Sequence, residues 1–158
     1  VFTSEEVWLS RFSGSNDSVH LKDFPQPELI WENKDLEIKW NLIRDVRKVV
    51  SGAIEISRQD KLIGASLEAH PQIYVNSKEK LCLLDGVDLG EICIASSASL
   101  KQGLGPKSSF SIKEIPDISV SCQPAKGEKC LRCWKILPEV SDSLERKVCK
   151  RCDSVLKI

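Results

Sequence analysis

The chain has no methionine, one tyrosine and only two histidines among its 158 residues. It also lacks any apolar run near the ~18 residues that a membrane-spanning helix requires. Its first residues lack the basic-then-apolar pattern of a secretion signal. These absences predict a soluble protein of the cytoplasm, with no membrane partner and with its thiols kept reduced. Because methionine is missing even at position 1, the sequence is expected to be a piece of a longer polypeptide. An excess of charge is missing too: Lys+Arg and Asp+Glu both number 23, for a formal net charge of zero. No long-range field therefore draws the chain to nucleic acid, and such a partner must be met by a local patch. Phosphate-cradling G-x-x-x-x-G-K-S/T, dinucleotide-binding G-x-G-x-x-G and nucleophile-elbow G-x-S-x-G patterns are all absent. His20 lies in a polar turn and His70 precedes Pro71 at an expected helix exit, neither with a nucleophile nearby in sequence. No catalytic residue is assigned, and the chain by itself is not expected to be an enzyme.

Cysteine, by contrast, is plentiful. Seven are present, an odd number that argues against a disulfide framework. Cys130 and Cys133, then Cys149 and Cys152, form two C-x-x-C pairs separated by fifteen residues. Each pair can aim two thiolates at one point from a tight turn, and two such turns close a tetrahedron of sulfurs around one structural zinc ion. The same four ligands can also hold iron, which leaves an iron or redox centre as an alternative. A metal explains how the segment 127–158 keeps a shape with almost no apolar core. Cys82, Cys93 and Cys122 have no paired spacing and apolar or β-like neighbours, so they are expected to be small buried side chains.

The rest of the sequence reads as an α+β chain: a helical N-terminal part, a small mixed or antiparallel sheet with helices, and the C-terminal four-cysteine knuckle. Thr3 is expected to cap a short first helix, with Glu6 closing a capping box and Phe2 stapling against Val7. That helix stops at the turn cluster beginning with Gly14, and residues 1–25 are expected to be the tail of a preceding helical domain. After Pro25 and Pro27 comes the longest periodic segment. From Asp35 as N-cap, Leu36, Trp40, Ile43, Val46, Val50 and Ile54 make an apolar stripe on a helix reaching about Lys61. Another face groups Arg44, Arg47 and Lys48, a candidate RNA contact diluted by Asp45, Glu55 and Asp60. Residues 26–65 thus form one segment and 66–126 an α+β module. In the module, 72–75, 91–96, 109–112 and 118–121 are expected strands, and 78–84 a short helix.

Cations crowd the knuckle: Lys129, Arg132, Lys135, Arg146, Lys147, Lys150 and Arg151, with Trp134 directly after Cys133. Eight basic residues face five acidic ones over 127–158, but four thiolates and a Zn²⁺ reduce the excess to about +1. Placement matters more than net charge. An indole on a metal-stiffened turn beside guanidinium groups is a platform for an unpaired RNA base, and such stacking contributes ~1–3 kcal/mol per base. The alternative is that Trp134 roofs the small core over the metal.

The string from Gly127 to Lys135, GEKCLRCWK, with Leu137-Pro138-Glu139-Val140 after it and Cys149-Lys150-Arg151-Cys152 closing it, resembles the C-terminal zinc-binding domain of bacterial-type isoleucyl-tRNA synthetases. Phe2-Thr3-Ser4-Glu5-Glu6-Val7-Trp8, Ser18-Val19-His20-Leu21, Phe24-Pro25 and the stretch from Lys61 to Ala69 resemble the same family upstream. The likeness implies that 1–25 ends a helical anticodon-binding domain, 26–65 is the long helix of the anticodon-binding and junction region, 66–126 is the junction module and 127–158 the zinc domain. It implies a monomer that grips the anticodon stem-loop of isoleucine tRNA at the end of the enzyme far from its active site. Arg132 and Trp134 would meet anticodon-loop nucleotides, with Lys135, Lys150, Arg151, Arg44, Arg47 and Lys48 as further RNA contacts. The parent would be an ATP-dependent isoleucine–tRNA ligase whose catalytic and editing domains lie outside these residues. Leu131 departs from the pattern, standing where the family commonly has an acidic residue. The competing function is a purely structural zinc domain that docks the C-terminus onto the parent or a protein partner.

Overall fold

The computed structural model describes residues 2–12, 14, 16–140 and 146–156. Two compact units divide the chain, residues 1–34 and 35–158.

The first unit is built on helix α1, Phe2–Arg11. It begins before Thr3, so Thr3 lies inside the first turn instead of capping it, and Phe2 and Val7 are both exposed instead of stapled together. A different device holds the helix start. The Glu5 carboxylate accepts hydrogen bonds from Ser18 Oγ and Val19 N, each at 3.0 Å, tying the helix to the 3-10 turn Val19–Leu21 that contains His20. On the next helical turns the Trp8 and Phe12 rings pack at 4.4 Å.

The second unit begins with α2, Lys34–Gln59. Its first turn carries Asp35 and Glu37, which face the positive end of the helix dipole; Asp35 lies within the helix, one residue past its start, and is not the cap. Leu42, Ile43, Val46, Val49, Val50, Ala53 and Ile54 are buried at helical spacing. The stripe meets the core only from Leu42 on. Leu36 and Trp40 are about half exposed, lining with Ile43, Val87 and Ile92 an open hollow of about 450 Å³.

Strands β1 (Ala69–Val75), β2 (Ser99–Gln102), β3 (Phe110–Ile112) and β4 (Ile115–Pro124) form a sheet in the order β2-β1-β4-β3. β1 pairs parallel with β2 and antiparallel with β4, and β3 pairs antiparallel with β4. Alternation decides the faces: Ala69, Pro71, Ile73 and Val75 turn into the core with Ile115, Ile118 and Val120, whereas His70, Gln72 and Tyr74 are only partly covered. Burying each aliphatic side chain of this set contributes roughly 1.5–3 kcal/mol. Pro71 is tolerated in an interior strand because the β2 ladder begins one residue later, at Gln72. Gly52 on α2 leaves room for the Phe110 ring; a Cβ there would lie 2.5 Å from Phe110 Cε1.

Helix α3, Lys78–Leu83, is capped by Ser77 and lies where the sequence places it. The expected strand over 91–96 is instead α4, Leu89–Ile92, followed by a tight turn. Asp88 Oδ1 accepts the Glu91 N–H at 3.0 Å, and this N-cap starts a helix inside the run that alternation alone reads as a strand. Strand β2 has no counterpart among the expected elements, because Ser-Leu-Lys-Gln is a polar edge sequence. Cys93 is buried and Cys122 partly so, but Cys82 is exposed on α3, contrary to expectation. His70 stands on β1, not at a helix exit, with its Nδ1 2.7 Å from Ser97 Oγ.

Candidate metal centre

Strands β5 (Glu128–Lys129) and β6 (Ile136–Leu137) pair antiparallel and carry the first cysteine pair on the turn between them. Gly127 opens this hairpin at φ 118, where an added Cβ would fall 2.2 Å from the Leu137 carbonyl carbon. No other residue type fits there. The turn is closed by Cys130 N donating to Lys135 O and Trp134 N donating to Cys130 O, both at 2.9 Å. Trp134 adopts φ 65, a left-handed conformation unusual for a bulky residue and costing on the order of 1–2 kcal/mol. Helix α5, Lys150–Leu156, carries Cys152, and Cys149 lies immediately before it. Leu131 N donates to Lys147 O at 3.1 Å and Lys150 N to Glu139 Oε1 at 3.0 Å, joining the two cysteine turns.

The sulfurs of Cys130, Cys133, Cys149 and Cys152 all lie within 4.8 Å of one another. Cys133 Sγ and Cys149 Sγ are 3.8 Å apart. A regular tetrahedron with Zn–S bonds near 2.3 Å has edges of about 3.8 Å, so the donor set fits a zinc-sized ion. Its chemistry fits as well, since four sulfurs form a soft donor set suited to zinc or iron. Cys130, Cys149 and Cys152 are buried, with Val140, Val148, Leu137 and Cys133 completing a very small core.

Donors aimed at the sulfurs reinforce the arrangement. Cys149 N donates to Cys130 Sγ at 3.3 Å and Arg132 Nη1 to Cys152 Sγ at 3.7 Å. Burial pushes the Cys130 thiol up, but the backbone N–H groups of Cys133, Cys149 and Arg132 outweigh it and bring the pKa down to about 6. Burial pushes Cys149 up to about 12 and raises Cys133, with neighbouring sulfurs adding to the rise in both.

Around this centre the predicted residues divide. Trp134 is 61% exposed and absent from the small core, so it does not roof the metal site; Lys129 Nζ sits 5.7 Å from its ring centroid. Arg132 and Lys150 are exposed on the same knuckle. Lys135, in contrast, turns inward to Glu91 Oε2 at 2.5 Å, and Arg151 reaches Glu91 Oε1 at 3.3 Å. Arg44, Arg47 and Lys48 are exposed on α2, with Arg44 donating to Asn41 Oδ1 at 2.9 Å. Among the described residues no hydrogen bond or ion pair joins these three to the knuckle. Sequence reasoning missed Glu91 and Ser96, the module's side of the contact. The Asp88-x-x-Glu91 capping spacing was the only local signal that Glu91 opens a helix.

Relatives share this region at high identity. The chain is 45% identical over 156 residues to the isoleucine–tRNA ligase of Ruegeria pomeroyi, covering 99% of the chain and 16% of that protein. It is 43% identical to the ligase of Agrobacterium fabrum and 40% to that of Bartonella henselae, each over 139 residues, 88% of the chain and 14% of the relative. The chain resembles the C-terminal region of bacterial isoleucine–tRNA ligases. No protein-family model matches it. The match to isoleucine–tRNA ligases thus spans nearly all of this chain but only about a sixth of those enzymes. No helix among the described residues is long and apolar enough to cross a membrane.

Proposed function

We propose that the chain is the tRNA-gripping C-terminal part of a cytoplasmic isoleucine–tRNA ligase, whose whole length attaches isoleucine to its tRNA using ATP. The four cysteines hold one zinc ion, and the knuckle meets the anticodon stem-loop. One observation carries the reading: a solvent-facing indole, Trp134, on a four-sulfur turn, with the Lys129 ammonium over its ring and Arg132 two residues before it. An exposed indole in a strained conformation suits a functional contact better than packing.

When bound, the ion supplies folding free energy on the order of 10 kcal/mol to a segment with few buried aliphatic side chains. The chain's own residues do the recognition. Trp134 stacks on an unpaired base, and Arg132 and Lys150 contact phosphates or base edges. Arg44, Arg47 and Lys48 present a second, weaker electrostatic contact along α2. On this reading residues 1–25, 26–65, 66–126 and 127–158 are the end of the helical domain, the long junction helix, the junction module and the zinc domain.

A purely structural zinc domain is the competing reading, and the contacts of Lys135 and Arg151 with Glu91 favour it in part. Footprinting separates the two. Bound chain should protect the anticodon loop of an isoleucine tRNA and leave an unrelated tRNA largely unprotected. Equal, diffuse protection of both would leave only the structural role.

A further inference from the structure

Among the described residues, three polar contacts tie the knuckle to the α+β module. Lys135 Nζ and Arg151 Nη1 meet the two oxygens of the Glu91 carboxylate, at 2.5 and 3.3 Å. Ile136 N donates to Ser96 Oγ at 2.6 Å, while the Ser96 hydroxyl donates onward to Leu67 O. The two cations come from different halves of the knuckle: Lys135 lies two residues past Cys133, and Arg151 lies between Cys149 and Cys152. Glu91 itself is held firmly. It stands on α4, whose N-terminus is closed by Asp88, and the following turn is tied by Ala95 N to Gly90 O at 2.8 Å and by Ser96 N to Ala69 O at 3.2 Å.

We infer that Glu91, assisted by Ser96, is a positioning residue that sets the orientation of the Trp134 indole. Trp134 and Lys135 are consecutive, so the peptide that carries one carries the other. Lys135 is only 15% exposed and pinned inward, whereas Trp134, at φ 65, projects outward. Releasing Lys135 leaves the turn closed by its own backbone hydrogen bonds but loosens its tie to the module, so the knuckle and its indole can swing together. Glu91 is 53% exposed, and an ion pair so placed is screened by solvent and contributes little to stability. That is too little to hold the fold but enough to bias the attitude of a small appended knuckle. It also follows that Lys135 and Arg151, which share the single Glu91 carboxylate, are engaged there and are not among the phosphate contacts. This inference rests on the tRNA reading for its functional consequence, but its geometric content is independent of it.

The test is Glu91→Ala in the zinc-loaded full chain, with Glu91→Asp as the charge-keeping control. Metal content and far-ultraviolet circular dichroism should match the unsubstituted chain. The ¹⁵N heteronuclear NOE of the Trp134 indole N–H should fall toward that of a mobile side chain. Affinity for an isoleucine tRNA transcript should drop about threefold, with the salt dependence of binding unchanged. Glu91→Asp should recover most of both signals. An unchanged indole NOE would overturn the inference. So would tighter binding with a steeper salt dependence, since Lys135 and Arg151 would then be phosphate contacts that Glu91 had masked. If the unsubstituted chain binds no tRNA, the tRNA reading fails by itself and the indole NOE still decides the positioning claim.

Discussion

Cys133 Sγ and Cys149 Sγ stand 3.8 Å apart although 16 positions separate them in the chain. The segment between them supplies little that could hold that approach by packing. Val140 and Val148 are the only buried aliphatic side chains among the described residues of the knuckle. The proposed ion, bridging the sulfurs, would account for the distance, and the first two predictions follow from it.

Cys130→Ser replaces a fully buried ligand that also receives the Cys149 N–H. Zinc content per chain, read by atomic emission, should fall from about one to near zero. Amide protection should be lost over 127–156, while the α2 core around Val46 and Val50 keeps its exchange rates. Full zinc retention would remove Cys130 from the ligand set. The same preparation distinguishes zinc from iron, because the zinc form is colourless and iron forms absorb visible light.

Metal affinity should rise with pH, and the sign follows from the thiols. With Cys149 pushed up to about 12 and Cys133 also raised, both carry protons in the metal-free chain near neutrality. Binding must expel at least those two protons, so chelator-competition titrations should show the apparent affinity climbing by at least a hundredfold per pH unit above roughly pH 6. Below the Cys130 value of about 6 a further proton joins and the dependence steepens. A flat profile between about pH 6 and 8 would show that the thiols are not the ligands.

Arg132→Ala should weaken binding of an isoleucine tRNA by roughly 1–3 kcal/mol, the usual worth of a charge-assisted contact. Metal occupancy at saturating zinc should hold, because the Arg132 contact with Cys152 Sγ is long, at 3.7 Å. Filter binding paired with metal analysis checks both halves.

Ile73→Ala deletes a wholly buried side chain of β1 that belongs to the same core cluster as the α2 stripe. Chemical denaturation should register a loss of about 2–5 kcal/mol. The zinc content of the folded fraction should stay the same, since the knuckle has its own small core.

The four-cysteine cluster was legible in the sequence because its sulfurs sit at fixed local spacings around two short turns. So was the buried stripe of α2 from Ile43 to Ile54, where helical periodicity is long enough to be unambiguous. Other features depended on contacts that no local pattern records. Strand β2 is polar and pairs at the sheet edge, and the run 91–96 has β-like residues but is captured by the Asp88 cap. Lys135 and Arg151 looked like exposed cations until Glu91, 44 and 60 positions away, claimed both. Whether Trp134 covered the core or faced solvent could not be read from its position after Cys133. In the structure it is 61% exposed and stands outside the small core.

The most direct measurement is the affinity of zinc-loaded Trp134→Gly for an isoleucine tRNA, with metal content determined on the same sample. Glycine adopts the φ of 65 without strain, so the knuckle should keep its zinc and gain roughly 1 kcal/mol of stability. Affinity should nevertheless fall by ~1–3 kcal/mol as the stacking platform is lost. Undiminished tRNA binding by a fully metallated Trp134→Gly chain would contradict the account.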